Sequence, residues 1–150
     1  METLLDPQVL AATCRRLEGL TVDSKALWGR MSAHQMVCHL NDSFLLAMAE
    51  KTASPATGIL QRTVIKWLAL RLQRPWPQNV QTRPEMDQAL LGPPRTEFAA
   101  DRARLVSLLQ RFAQPAPPFG VHPIFGEMTS WEWRRWGYLH ADHHLRQFGL

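Results

Sequence analysis

Residues 138–148 read Tyr-Leu-His-Ala-Asp-His-His-Leu-Arg-Gln-Phe, and their spacing decides the fold. His140 and His144 stand four apart in a run of helical periodicity. On a helix, side chains four apart lie one above the other, with roots about 6 Å apart. At about 100° per residue, His144 falls about 40° from His140 and His143 about 60° to the other side. Two imidazoles so placed can share one divalent ion. They can equally be packed histidines with one nitrogen hydrogen-bonded, and the spacing alone leaves both readings open.

Working outward, Thr129 and Glu132 form a capping-box pattern that predicts a helix running to about Phe148. Trp136, four before His140, shares its face and could wall a pocket, but a plain core aromatic is the preferred reading. Asp142 and Arg146 have the acid-then-base order that favours an exposed helix face. Asp142 could instead orient a histidine, as carboxylates do around metals. Arg134 and Arg135 are expected in solvent.

A second capping box, Ser32 with Gln35, predicts a helix to about Lys51, with Met36, His39, Leu40, Ser43, Leu46 and Ala47 on one stripe. If this helix crosses the last one, His39 completes a three-histidine site with room for water or substrate. Asp42, three after His39, leans toward the same face as a candidate base or supporting carboxylate. His34 and Cys38 form another four-spaced pair, but no third ligand is evident for them.

The remaining helices are expected at Asp6–Gly19, opened by the Asp6-Pro7 cap, at about Gly58–Gln73, and at about Arg95–Ala113. Residues 75–94 and 114–120 read as proline-rich loops, whereas Val121–Gly126 is apolar enough to pack. Five helical runs and no convincing strand predict a single all-α domain over residues 1–150. The net charge of +4 is spread along the chain, so no nucleic-acid footprint is expected. Residues 61–74 form a basic amphipathic run. It would suit a membrane surface, but a helix laid across the bundle with a solvated basic edge is the preferred reading, so no membrane partner is expected. Cys14 and Cys38 make no disulfide framework, and with no signal-peptide pattern a cytoplasmic setting is expected.

Three blocks together, Trp28–Leu40, His122-Pro123-Ile124-Phe125-Gly126 and His140–Gly149, resemble the DinB-like (DinB/YfiT) superfamily over most of the chain from Leu27. The resemblance implies a four-helix bundle, here with an additional helix and long loops, that is often a homodimer. It also implies a divalent metal on His39, His140 and His144, with His143 outside the ligand set. Zinc or nickel is the expected ion. Relatives that use low-molecular-weight thiols imply thiol transfer or hydrolysis on a small molecule. The alternative is a non-catalytic helical module that binds a metal or small molecule.

Overall fold

Asp6 opens the first helix, α1 (Pro7–Glu18), by accepting a hydrogen bond from Gln8 N at 2.8 Å, and proline occupies the first turn, where its missing N–H is harmless. In the computed structural model, which describes residues 1–80, 83–92, 94, 96–115 and 118–150, the chain is all-helical. Among the described residues there is no strand, only an isolated antiparallel bridge between His122 and Gly126.

The capping box at Ser32 forms as expected and opens α2 (Ala33–Ala47). This helix ends four residues short of Lys51. The carbonyl of Ala47 accepts from Gly120 N at 3.0 Å, and Ala49 turns to a φ of 62°. The expected third helix is not a uniform α-helix. It passes through a π-helical turn, Gln61–Ile65, before α3 (Lys66–Arg71). Residues 75–94 are not wholly irregular either: they hold a 3-10 turn, Pro84–Met86, and a short helix, α4 (Gln88–Leu91), capped by Asp87. Both pack on α2. The fourth expected helix is α5 (Phe98–Phe112); Arg95, its expected start, lies outside the described residues, as do Ala116 and Pro117 of the second proline loop. The last helix, α6 (Ser130–Gln147), opens on the Thr129–Glu132 capping box.

The four long helices touch in a ring: α1 packs on α5 and α6, and α2 packs on α5 and α6. Their shared core is aromatic. Phe44 of α2 meets Phe112 of α5 edge-on at 5.0 Å and Trp136 of α6 at 6.1 Å, and Trp133 meets Trp136 at 5.3 Å. Arg134 and Arg135 are not solvated; each is 2% exposed. Their guanidinium groups instead satisfy backbone carbonyls. Arg134 reaches Gln114 and Ser130, and Arg135 reaches Leu70 at 3.1 Å and Glu2 at 2.8 Å. A buried cation persists because it is hydrogen-bonded, and here it ties distant segments to α6. No helix among the described residues is long and apolar enough to cross a membrane.

Gly137 leaves room on α6 for the side chains of Phe112 and Leu4. A Cβ there would lie 2.5 Å from Phe112 Cε1 and 3.1 Å from Leu4 Cδ1, and both of those side chains are fully buried. Overpacking costs about 1–3 kcal/mol, and alanine returns at most ~1 kcal/mol in helix propensity. Gly137→Ala should therefore destabilise the protein by about 1–2 kcal/mol in a urea titration. An unchanged midpoint would mean that Phe112 can move aside.

Candidate metal centre

The facing of α2 and α6 brings His39, His140 and His144 together. One ring nitrogen from each lies within 4.8 Å of the other two. The ring centroids are 4.8–5.1 Å apart, and His39 Nε2 is 3.1 Å from His140 Nε2. His39 is 3% exposed and His144 is 7% exposed. These are the three histidines singled out by spacing.

The hydrogen bonds around them fix where the protons sit. His39 Nδ1 is 2.9 Å from the carbonyl oxygen of Met86. A carbonyl only accepts, so Nδ1 carries the hydrogen and Nε2 presents a lone pair. Gln147 donates its amide N–H to Trp28 O at 2.8 Å, which leaves its Oε1 to accept from His144 Nδ1 at 2.9 Å. His144 Nε2 is thereby also a lone pair. Gly29 makes room for this contact: with φ 81°, it would carry a Cβ only 2.5 Å from Gln147 Nε2. His140 Nδ1 is buried and has no partner among the described residues. Without a cation, two fixed lone pairs and a third imidazole crowd one buried space. That arrangement fits a cation, which accepts all three.

Charge is kept off the cluster. Burial lowers the His39 pKa, with the Met86 carbonyl and Asp42 opposing it. Burial, then the neighbouring histidines, holds His140 and His144 well below the usual histidine range. Neutral imidazole is the form that ligates metal.

Trp136 stands where its spacing put it, 4.7 Å from His140 ring to ring. His143 lies 5.1 Å from His144 but turns toward Trp28 at 5.9 Å and Trp76 at 6.3 Å, outside the three-nitrogen group. Asp42 does not support a histidine through a hydrogen bond. Its carboxylate takes Lys51 Nζ at 2.6 Å and Gln88 Nε2 at 2.7 Å. The orienting groups are Met86 O and Gln147 instead. Asp142 likewise pairs with Arg16 at 2.7 Å and leaves the histidines alone. His34 and Cys38 do acquire a third neighbour, Asp101. One of its carboxylate oxygens accepts from His34 at 2.8 Å, from Cys38 at 3.5 Å and from Thr96, joining α2 to the start of α5.

The three histidines line a cavity of about 490 Å³ whose other walls are largely apolar, including Leu68, Leu72, Ile124 and Phe125. A larger groove, about 710 Å³, contains His143, Arg135 and Arg146 but none of the three histidines. The three-histidine group belongs to the smaller cavity.

Comparison with known proteins follows from this geometry. Residues 2–149 match the model of a family described as protein of unknown function (DUF1569). The chain belongs to the DUF1569 family. That match replaces the DinB-like assignment, because no DinB-like family model matches. Short histidine and capping motifs on crossing helices record what such a site requires, so they did not separate one family from another. No curated protein and no solved structure matches the chain.

The neutral cluster gives a signed pH dependence. Unfolded histidines take protons below about pH 6.5, while the folded, metal-free cluster resists them. Each proton so excluded removes about 1.4 kcal/mol of stability per pH unit. Stability of the metal-free protein should thus be full above neutrality and fall steeply between about pH 6.5 and 5. A flat denaturation midpoint across that window would show that the histidines protonate freely in the fold.

Proposed function

We propose that this DUF1569 protein is a metal-dependent enzyme that performs hydrolysis or group transfer on a small, largely apolar molecule. One observation carries the reading: three imidazoles, buried at His39 and His144 and half-buried at His140, converge on one wall of an apolar cavity, two of them with lone pairs fixed by Met86 O and Gln147. His39, His140 and His144 would hold one divalent ion, with zinc favoured by an all-nitrogen donor set and nickel next. Three neutral ligands leave the charge of such an ion uncompensated, so it supplies Lewis acidity and acidifies a water or thiol bound beside it.

The chain's own residues do the rest. Trp136 packs on the His140 ring and shields it from solvent. Leu68, Leu72 and Ile124 offer apolar surface for the body of a ligand. The preference for a thiol came with the DinB-like resemblance and lapses with it. Water and thiol are therefore equal candidates for the nucleophile.

Untagged protein should carry about one equivalent of metal by elemental analysis. His39→Ala or His140→Ala should abolish stoichiometric binding, and His143→Ala should leave it intact. Gln147→Leu, which frees His144 to rotate, should weaken affinity by about 10–100-fold. Zinc- and nickel-loaded protein should turn over a member of a panel of apolar esters, amides and thiol–electrophile pairs, and His140→Ala should show only background. Full metal occupancy without turnover across the panel would favour a binding module instead.

A further inference from the structure

His122 lines the same cavity as the three histidines. It is 6% exposed, and burial pushes its pKa down to about 3, so it is uncharged at any ordinary pH. Its Nδ1 accepts two backbone hydrogen bonds, from Ile124 N at 3.1 Å and Phe125 N at 3.0 Å. A ring nitrogen that accepts carries no hydrogen, so the proton of neutral His122 sits on Nε2. That N–H makes no hydrogen bond to the described residues and is not among their sealed polar atoms, which leaves it open to the cavity.

The ring cannot swing away. It stacks on Phe125 at 4.6 Å and 16°, meets Trp136 edge-on at 5.4 Å, and its backbone pairs with Gly126 in both directions. Trp136 in turn lies against His140. If the turn at residues 122–126 needed only an acceptor, asparagine, aspartate or serine would serve. Histidine adds a second feature that those residues lack: a rigid donor on the far side of the ring.

We infer that the His122 Nε2–H is a binding group that seats the carbonyl oxygen of a neutral, largely apolar ligand, an ester, ketone or amide, in this cavity. The inference deepens the proposed function and rests on it for the reaction that the seated carbonyl would undergo. An uncharged donor suits an uncharged acceptor, and the apolar walls suit an alkyl or aryl body. Two arginines, Arg74 and Arg83, stand among the lining residues; Arg83 donates to Ser54 Oγ at 2.5 Å, and Ser54 in turn donates to the Glu85 carboxylate.

The test is a titration of octanamide against zinc-loaded and metal-free wild-type protein and against His122→Asn. Asparagine keeps an acceptor for the two backbone N–H groups but is too short to place a donor where Nε2 stands. Octanamide should bind His122→Asn about tenfold more weakly, the loss of one hydrogen bond. Zinc content should be unchanged, while the thermal midpoint falls because the ring's packing on Phe125 and Trp136 is lost. Equal affinity in variant and wild type, or no binding to wild type, overturns the inference. Should the variant fail to fold, histidine-labelled wild type decides. Its His122 Nε2–H resonance should be present at neutral pH and move downfield with octanamide. A proton on Nδ1, or a resonance indifferent to octanamide, overturns it. Binding of octanamide that depends on His122 in protein that takes up no zinc would sustain this inference while removing the metal reading.

Discussion

Three imidazoles packed into one buried space must each be kept neutral and each be aimed, and the arrangement of the chain follows from that requirement. Neutrality comes from burial between α2 and α6. Aim comes from partners that cannot themselves lose or gain a proton: a backbone carbonyl for His39 and an amide for His144. Neither partner works unless its own position is set. Met86 O is held by a 3-10 turn packed on α2, and Gln147 by the carbonyl of Trp28 beside a glycine that no other residue could replace without displacing the amide. A segment far from the helices in sequence is therefore as necessary to the cluster as the helices are.

The depth of the site has a cost that the fold meets elsewhere. Seating α6 in the core requires Gly137 under the Phe112 side chain, and it draws two arginines of α6 out of water. Those cations persist because carbonyls of Glu2, Leu70 and Gln114 face them. Removing the Arg135 guanidinium would leave the buried Leu70 carbonyl unpaired, at about 1–3 kcal/mol. The arginines thus bind the N-terminal segment, α3 and the loop before residue 118 to the same helix that carries His140 and His144. The histidine-bearing face of α6 and its structural face are stabilised together.

Much of this was legible in the sequence, and the parts that were not have a common cause. Capping boxes and apolar periodicity are local, so Ser32, Thr129 and the stripe through Met36, His39 and Leu40 announced α2 and α6, while the meeting of His39 with His140 and His144 depended on the two helices crossing, which no local signal states. Met86 was invisible because a carbonyl is common to every residue, and its segment looked irregular. Gln147 could have been found: three residues after His144, it shares that histidine's face. Asp42 misled because proximity along a helix says nothing of competitors, and Lys51 and Gln88 claim its carboxylate. Arg134 and Arg135 misled because the carbonyls that bury them come from distant parts of the chain. His122 stood inside a quoted motif, but its proton position depends on backbone N–H groups that only the folded turn aligns.

The cavity is unevenly built, and the unevenness matches its division of labour. The side bearing the histidines rests on two capped helices and on a turn closed by paired backbone hydrogen bonds, so the polar groups have little freedom. The opposite side is the helical stretch from Ile59 through α3, where Leu70 alone is buried and Leu60, Val64 and Trp67 face outward. Its ties are mostly polar and near the surface: Lys66 to Glu127 O at 3.0 Å and to the Glu132 carboxylate at 3.5 Å, Arg71 over the Trp131 ring at 4.3 Å, Trp76 to Ala69 O at 2.9 Å, and Arg135 to Leu70 O. Elements with little buried apolar surface open at low free energy. A rigid wall can hold reacting groups to the fraction of an ångström that chemistry needs, while a thin apolar wall can yield to ligands of different length. Ligand entry and variation in ligand shape should therefore be absorbed on the α3 side. The orientation of His39, His122, His140 and His144 would then stay the same whichever molecule occupies the cavity.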